Sequence, residues 1–276
     1  MGEQFSGRAR VRELTSATNS LVKVFRKSLV EGVTREGWLA GEGPHFLAEA
    51  LKLGSAATLH SVLVAQSSAG KYDRLLKQIP RDAEITHIPD RLFRQIAQTE
   101  APQGIAALIE RPAFDLQAIL KRPSIVLMVA CGVQDPGNMG TMIRSADALG
   151  AAAVVALQGT VSPFNPKAVR SCVGSIFRLP VFANLEPSDL FKRLRACVIR
   201  IIAASRESPT PVAGADLRGP LAILIGNEAA GFAPEIAREA DERVSIPICE
   251  HADSLNAAVA ASIILYEVVR QRGFSH

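Results

Sequence analysis

Apolar positions along the chain fall into two alternating series of short runs and helical patterns. Residues 13–30 mix apolar and basic positions at helical spacing, with Thr15, Ser16, Thr18 and Asn19 as caps, and predict a basic helix. A turn-rich strand region at 37–44 is followed by a helix at 45–53, a strand at 59–65 and a helix at 72–78. A strand at 84–88, a helix at 90–97 and a strand at 104–110 complete a series that predicts a small α/β/α sandwich.

Residues 111–123 are polar, carry Pro112 and Pro123, and mark a boundary. Beyond them, 124–133 is a near-continuous apolar run of the kind expected of a strand covered on both faces. Similar runs recur at 152–157, 198–204, 221–225 and 243–246, with helical patterns at 139–149, 166–173, 189–196, 233–240 and 256–271. The second series therefore predicts a mostly parallel sheet.

Length and charge refine this picture only slightly. With 276 residues the chain has room for two ordinary domains, and its 48% hydrophobic and 5% aromatic content fits a helix-and-sheet globule. Residues 1–35 carry seven Lys/Arg against three acids, a local basic excess that favours a polyanionic partner. Cys131, Cys172, Cys197 and Cys249 are scattered, without C-x-x-C or a histidine at metal-ligand spacing, so free thiols and no metal are expected. No run reaches the roughly 18 apolar residues of a membrane span and no apolar signal stretch opens the chain; a soluble, cytoplasmic protein is expected.

Three blocks hold the candidate chemistry, each at a strand end, where an α/β sheet leaves backbone groups free for a ligand. In the first, Asp135-Pro-Gly-Asn138 turns into a helix that offers its N-terminus to an anion and carries Arg144 as a phosphate clamp or hydroxyl-polarising group. The second, Ile225-Gly226-Asn227-Glu228 to Gly231, lets a ligand approach main chain closely, with Glu228 able to hydrogen-bond a ribose or anchor the loop. The third runs from Ile246-Pro247 through Glu250, His251 and Asp253 to Ser254-Leu255-Asn256, and Ser254 is expected to cap the next helix. The spacing matches neither G-x-G-x-x-G nor a P-loop.

In order and spacing these blocks resemble the motifs of the SPOUT superfamily, specifically the SpoU/TrmH-type RNA ribose 2′-O-methyltransferases. The resemblance spans most of 124–270 and includes a connecting segment at 163–174 that carries Arg170 and Ser171; Ala229 and Asp253 stand where glycine and glutamate are frequent. It implies an α/β knot, that is, a deep trefoil knot in a mostly parallel sheet, a homodimer, and S-adenosylmethionine as methyl donor. The domains would be an RNA substrate-binding domain at 1–112, a linker at 113–123 and a knotted methyltransferase domain at 124–276. Arg144, Asn138, Glu228, Ser254 and Asn256 would form the catalytic set, and Gly226, Asn227, Ile246, Leu255 and Asn256 would hold the donor. Arg170, Ser171, Lys23, Arg26 and Lys27 would bind RNA. The implied substrate is rRNA in preference to tRNA. A non-catalytic RNA-binding protein and an α/β enzyme with another nucleotide ligand are the competing classes.

Overall fold

A computed structural model describes residues 10–54, 57–249 and 254–273. The chain runs β1 (Arg10–Glu13), α1 (Ser20–Glu31), β2 (Leu39–Glu42), α2 (Pro44–Leu51), β3 (Thr58–Ala65), α3 (Asp73–Leu76), β4 (Glu84–Ile88), α4 (Asp90–Ile96) and β5 (Ile105–Glu110). It continues with α5 (Leu116–Leu120), β6 (Val126–Ala130), α6 (Pro136–Ala148), β7 (Ala153–Leu157), α7 (Pro166–Ser171), β8 (Val181–Leu185) and α8 (Pro187–Ala196). The last elements are β9 (Arg200–Ala204), β10 (Leu221–Ile225), α9 (Pro234–Arg238), β11 (Glu242–Val244) and α10 (Ala257–Arg272).

Two compact units result: Met1–Ala113 with Phe164–Phe177, and Phe114–Pro163 with Arg178–His276. In the first, the sheet order is β1-β4-β3-β5-β2, parallel from β1 to β3 and antiparallel from β3 to β2. Val22, Phe25 and Leu29 of α1 and Leu92, Phe93 and Ile96 of α4 bury one face with Ala40, Leu63 and Leu108. By the two-residue period of a strand, Leu39, Val62, Val64 and Ile109 point the other way; they too are buried. Phe46 of α2 packs on Gly41, where a Cβ would stand 2.6 Å from its ring. The Asn19 side chain accepts from Leu21 N–H to start α1, and Gly32 ends it at φ 86°.

Residues 164–177 belong to this first unit, not to a continuous domain from 124 onward. The Arg111 guanidinium lies 3.9 Å over the Phe164 ring, and Phe46 meets Phe177 at 5.2 Å. A Cβ on Gly32 would strike the Phe164 carbonyl oxygen.

The second unit is built on a six-stranded sheet, β11-β9-β10-β6-β7-β8, in which every pairing is parallel. Strands β6, β7 and β10 are buried at every position, as their unbroken apolar runs require. Leu127, Val129, Val155, Ile201 and Leu224 pack with α5 and α8 on one face. The alternate residues Met128, Val154, Ile202 and Ile223 are also fully buried and face the layer of α6 and α10. The polar 113–123 stretch expected as a linker therefore contains a helix, α5, whose Leu116, Ile119 and Leu120 are core residues.

Other differences are local. Helix α1 starts at Ser20, not near residue 13, because the preceding Arg-Val-Arg-Glu forms the exposed edge strand β1. Strand β8 was not anticipated; its burial fades along its length, so it lacks a clear apolar run.

Candidate active site

The sheet order makes β6 the point from which the chain diverges: β7 and β8 lie on one side, β10, β9 and β11 on the other. Ligands of open α/β sheets sit beyond the carboxyl ends of strands at such a point. The β10–β6 ladder extends one residue further, with Cys131 N–H donating to Ile225 O at 2.8 Å, before the two chains part. Burial pushes the Cys131 thiol up to about 12, so it stays protonated at neutral pH and is no nucleophile.

Beyond β10 the loop folds back on itself. Asn227 N–H donates to Gly231 O at 2.9 Å and Gly231 N–H returns to Asn227 O at 3.0 Å. The Asn227 carboxamide oxygen accepts from Ala229 and Ala230 N–H, both at 2.9 Å, while its Nδ2 donates to Gly132 O at 2.9 Å. One side chain thus shapes its own loop and braces it to the loop after β6. At Gly226 a Cβ would stand 2.8 Å from the Gly231 carbonyl oxygen, so the reversal requires glycine.

The three blocks are joined side chain to side chain. Asn138 Nδ2 donates to Glu228 Oε1 at 2.7 Å, and Asn256 Nδ2 donates to Asn138 Oδ1 at 2.8 Å. Asn256 Oδ1 in turn accepts from Ala258 N–H at 2.9 Å and Val259 N–H at 3.2 Å, capping α10. Asn138 N–H donates to Asp135 Oδ1 at 2.8 Å at the start of α6. The chain leaves each amide with one orientation, since every oxygen receives and every Nδ2 gives. Ser262 of α10 hydrogen-bonds Ser145 of α6 at 2.7 Å and holds the two helices together one face further along.

A cavity of about 580 Å³ opens beside this network, lined by the loops after β9, β10 and β11 and by the start of α10. Ile225, Ile246, Ile248 and Leu255 give it apolar walls, Ala257 and Ala260 leave room along α10, and Glu207, Glu228, Arg206 and Arg243 supply charge. Its size suits a nucleoside-sized ligand, within the roughly 300–1,000 Å³ usual for small-molecule sites.

The model of the SpoU rRNA Methylase family matches residues 125–266. The chain belongs to the SpoU rRNA methylase family. An MRM3-like substrate binding domain matches residues 33–107. The 23S rRNA (guanosine(2553)-2′-O)-methyltransferase of Bacillus subtilis is 32% identical over 94% of this chain and 99% of its own. The 23S rRNA (uridine(2479)-2′-O)-methyltransferase of Streptomyces viridochromogenes is 36% identical over 75% of this chain and 74% of its own. Among solved structures, the SpoU methyltransferase AviRb of S. viridochromogenes in complex with the cofactor AdoMet is 30% identical, with a TM-score of 0.79 over 92% of this chain and 98% of that one. The AdoMet-bound rRNA methyltransferase of Sinorhizobium meliloti also reaches 0.79, at 28% identity over 94% and 98% of the two chains.

Within this SpoU chain, Gly226, Asn227, Glu228, Ile246, Ser254 and Leu255 line the cavity, while Asn138 and Asn256 form the polar link beside it. Ser254 does not cap α10; Asn256, next to the first helical residue, supplies the acceptor. Arg144 is exposed on α6 and makes no hydrogen bond or ion pair among the described residues. Arg170 and Ser171 lie on α7 of the first unit, Arg170 exposed and Ser171 Oγ donating to Lys167 O at 2.8 Å. On α1, Lys23 and Lys27 are exposed and Arg26 half-buried, outside the buried Val22, Phe25 and Leu29. Glu250, His251 and Asp253 lie outside the described residues.

The loop after β9, with Arg206 and Glu207, was missed, as were Arg243 and Phe232. Their signal lies in strand order: β9 sits between β10 and β11, whose ends were both identified.

Proposed function

We propose that the protein transfers the methyl group of S-adenosylmethionine to a ribose 2′-hydroxyl of 23S-type rRNA. The observation that carries this reading is the Glu228–Asn138–Asn256 chain, which ties the three blocks together beside a cavity lined by the second and third. Relatives named as 23S rRNA 2′-O-methyltransferases and a neighbour solved with AdoMet support the substrate and the donor. The cavity fits that donor: apolar walls for a purine, main chain exposed at Gly226, and carboxylates for groups that donate hydrogen bonds.

S-adenosylmethionine supplies a methyl group already activated by its sulfonium, so the residues act chiefly on the acceptor. Gly226, Ile246 and Leu255 hold the nucleoside, and Asn227 keeps the 226–231 loop in shape for it. A ribose hydroxyl is a poor nucleophile until its proton is shared or removed. Arg144 orients that hydroxyl and stabilises the charge growing on its oxygen; a guanidinium carries only donors and no acceptor, so it does not serve as the base. The proton passes to water or an RNA phosphate oxygen. Asn138, fixed between Glu228 and Asn256, positions the acceptor, and Ser254 shapes the rim.

Arg170 and Ser171 grip an RNA phosphate, and Lys23, Arg26 and Lys27 add sequence-independent affinity. The second unit is a trefoil-knotted methyltransferase domain and the first a substrate-binding domain. The enzyme works in the cytoplasm as a homodimer in which a second copy completes the surroundings of Arg144, an exposed cation with no hydrogen bond or ion pair among the described residues.

Calorimetric titration with S-adenosylhomocysteine, followed by methylation of deproteinised 23S rRNA and of tRNA in parallel, tests this reading. Binding with methylation of rRNA is expected. Labelling of tRNA alone would replace the substrate, and binding without any methylation would favour a non-catalytic RNA-binding protein.

A further inference from the structure

The cavity presents four charged side chains, and their partners set them apart. Glu228 is engaged by Asn138 at 2.7 Å. Arg243 Nη2 donates to Ala237 O at 3.3 Å, and Arg206 also has a partner. Glu207, in the loop after β9, has no hydrogen bond or ion pair among the described residues. It is a free carboxylate at the rim of a ligand cavity, with two oxygens able to accept.

Sheet order says which end of a ligand it meets. The strands run β11-β9-β10-β6, so Asn138 follows the strand at one end of this series, Glu228 the next, Glu207 the third and Ile246 the last. If the acceptor is handled on the Asn138 side, the reactive end of the donor lies toward β6 and β10. The nucleoside end then lies over β9 and β11. That end offers two adjacent hydroxyl donors on one ribose, and a carboxylate accepts from both at once, as acidic residues do at other ribose sites.

We propose that Glu207 recognises the donor's adenosine by accepting hydrogen bonds from its ribose 2′- and 3′-hydroxyls. This rests on the cavity being the S-adenosylmethionine site. The other group it could hold is the ammonium of the methionine end, which the strand order places on the far side.

Affinities of wild type and Glu207→Gln for S-adenosylhomocysteine, its 2′-deoxy form and 5′-methylthioadenosine separate these cases. The variant is expected to bind S-adenosylhomocysteine and 5′-methylthioadenosine about 10-fold more weakly, the scale of a hydrogen bond to a charged group. Its preference for the 2′-hydroxyl should shrink to within about 2-fold by the logic of a double-mutant cycle. An unchanged thermal midpoint of the free variant confirms an intact fold. Weaker binding of S-adenosylhomocysteine alone, with 5′-methylthioadenosine unaffected, would assign Glu207 to the ammonium and overturn the proposal. Equal discrimination by both proteins would do the same. Failure of wild type to bind S-adenosylhomocysteine at all would instead remove the cavity assignment beneath it.

Discussion

The polar side chains at the strand ends of the second unit and several cations on α1 and α7 of the first are used in opposite ways. At the strand ends of the second unit, Asn138, Asn227, Glu228 and Asn256 are bonded to one another and to main chain. On α1 and α7 of the first unit, Lys23, Arg26 and Arg170 make no hydrogen bond or ion pair among the described residues. The first pattern fixes a shape before any ligand arrives, which suits a small molecule of defined geometry. The second keeps charge free and solvated, which suits a phosphate backbone met in many local geometries. Arg144 resembles the second group although it stands six residues after Asn138 on the same helix. In the proposed function this free cation acts on the substrate.

The largest effect should come from that contrast. Arg144→Ala is expected to lower single-turnover methylation by about 100-fold or more, the scale of removing a donor aimed at developing negative charge. S-adenosylhomocysteine affinity should stay within about 3-fold. Unchanged turnover with RNA binding intact would return Arg144 to an ordinary surface residue.

Breaking the pre-formed side comes next. Asn227→Ala removes the bond to Gly132 O and both contacts that shape the 227–231 turn. A loss of about 1–3 kcal/mol in urea denaturation is expected, with S-adenosylhomocysteine binding weakened at least about 10-fold. Stability and affinity that both match wild type would show that this loop is not held as described.

Replacing Lys23, Arg26 and Lys27 together with Gln should flatten the log–log salt dependence of rRNA binding by about 2–3, at somewhat under one unit per phosphate contact. Donor affinity should not move. An unaltered slope would mean that these cations do not meet phosphate.

The smallest effect concerns α10, which Asn256 caps. Hydrogen bonds from Arg270 and Gln271 hold the Glu267 carboxyl well below the usual range, at about 2. A depressed carboxylate stabilises the fold above its unfolded value, near 4, and loses that contribution as pH falls through about 2. Glu267→Gln should therefore lower the thermal midpoint at neutral pH, and the gap to wild type should close between about pH 4.5 and 2. A constant gap would remove the carboxylate from the account.

Much of this was readable because it is local. The strand ends at 225 and 244, the latter expected at 246, the turn into α6 and the apolar runs of β6, β7 and β10 each lie within a few residues of the signal that announces them. What failed is set by distant partners. Strand β1 is four exposed residues, Arg-Val-Arg-Glu, that become a strand only by pairing with β4. Residues 164–177 read as part of the second series, yet they pack with the first unit through Phe164 and Phe177. The cap of α10 fell to Asn256 because its carboxamide serves Asn138 and the helix at once, a role no spacing rule reveals for Ser254-Leu255-Asn256. Glu207 stayed hidden because β9 enters the site only through its place beside β10.

The central claim is methyl transfer to a ribose oxygen, and the position of the methyl group in the product tests it most directly. Deproteinised 23S rRNA labelled by the protein from methyl-tritiated S-adenosylmethionine should, after alkaline hydrolysis, carry its label in alkali-resistant dinucleotides, because a methylated 2′-oxygen cannot attack the neighbouring phosphate. Label recovered only in mononucleotides, on the bases, would contradict the account.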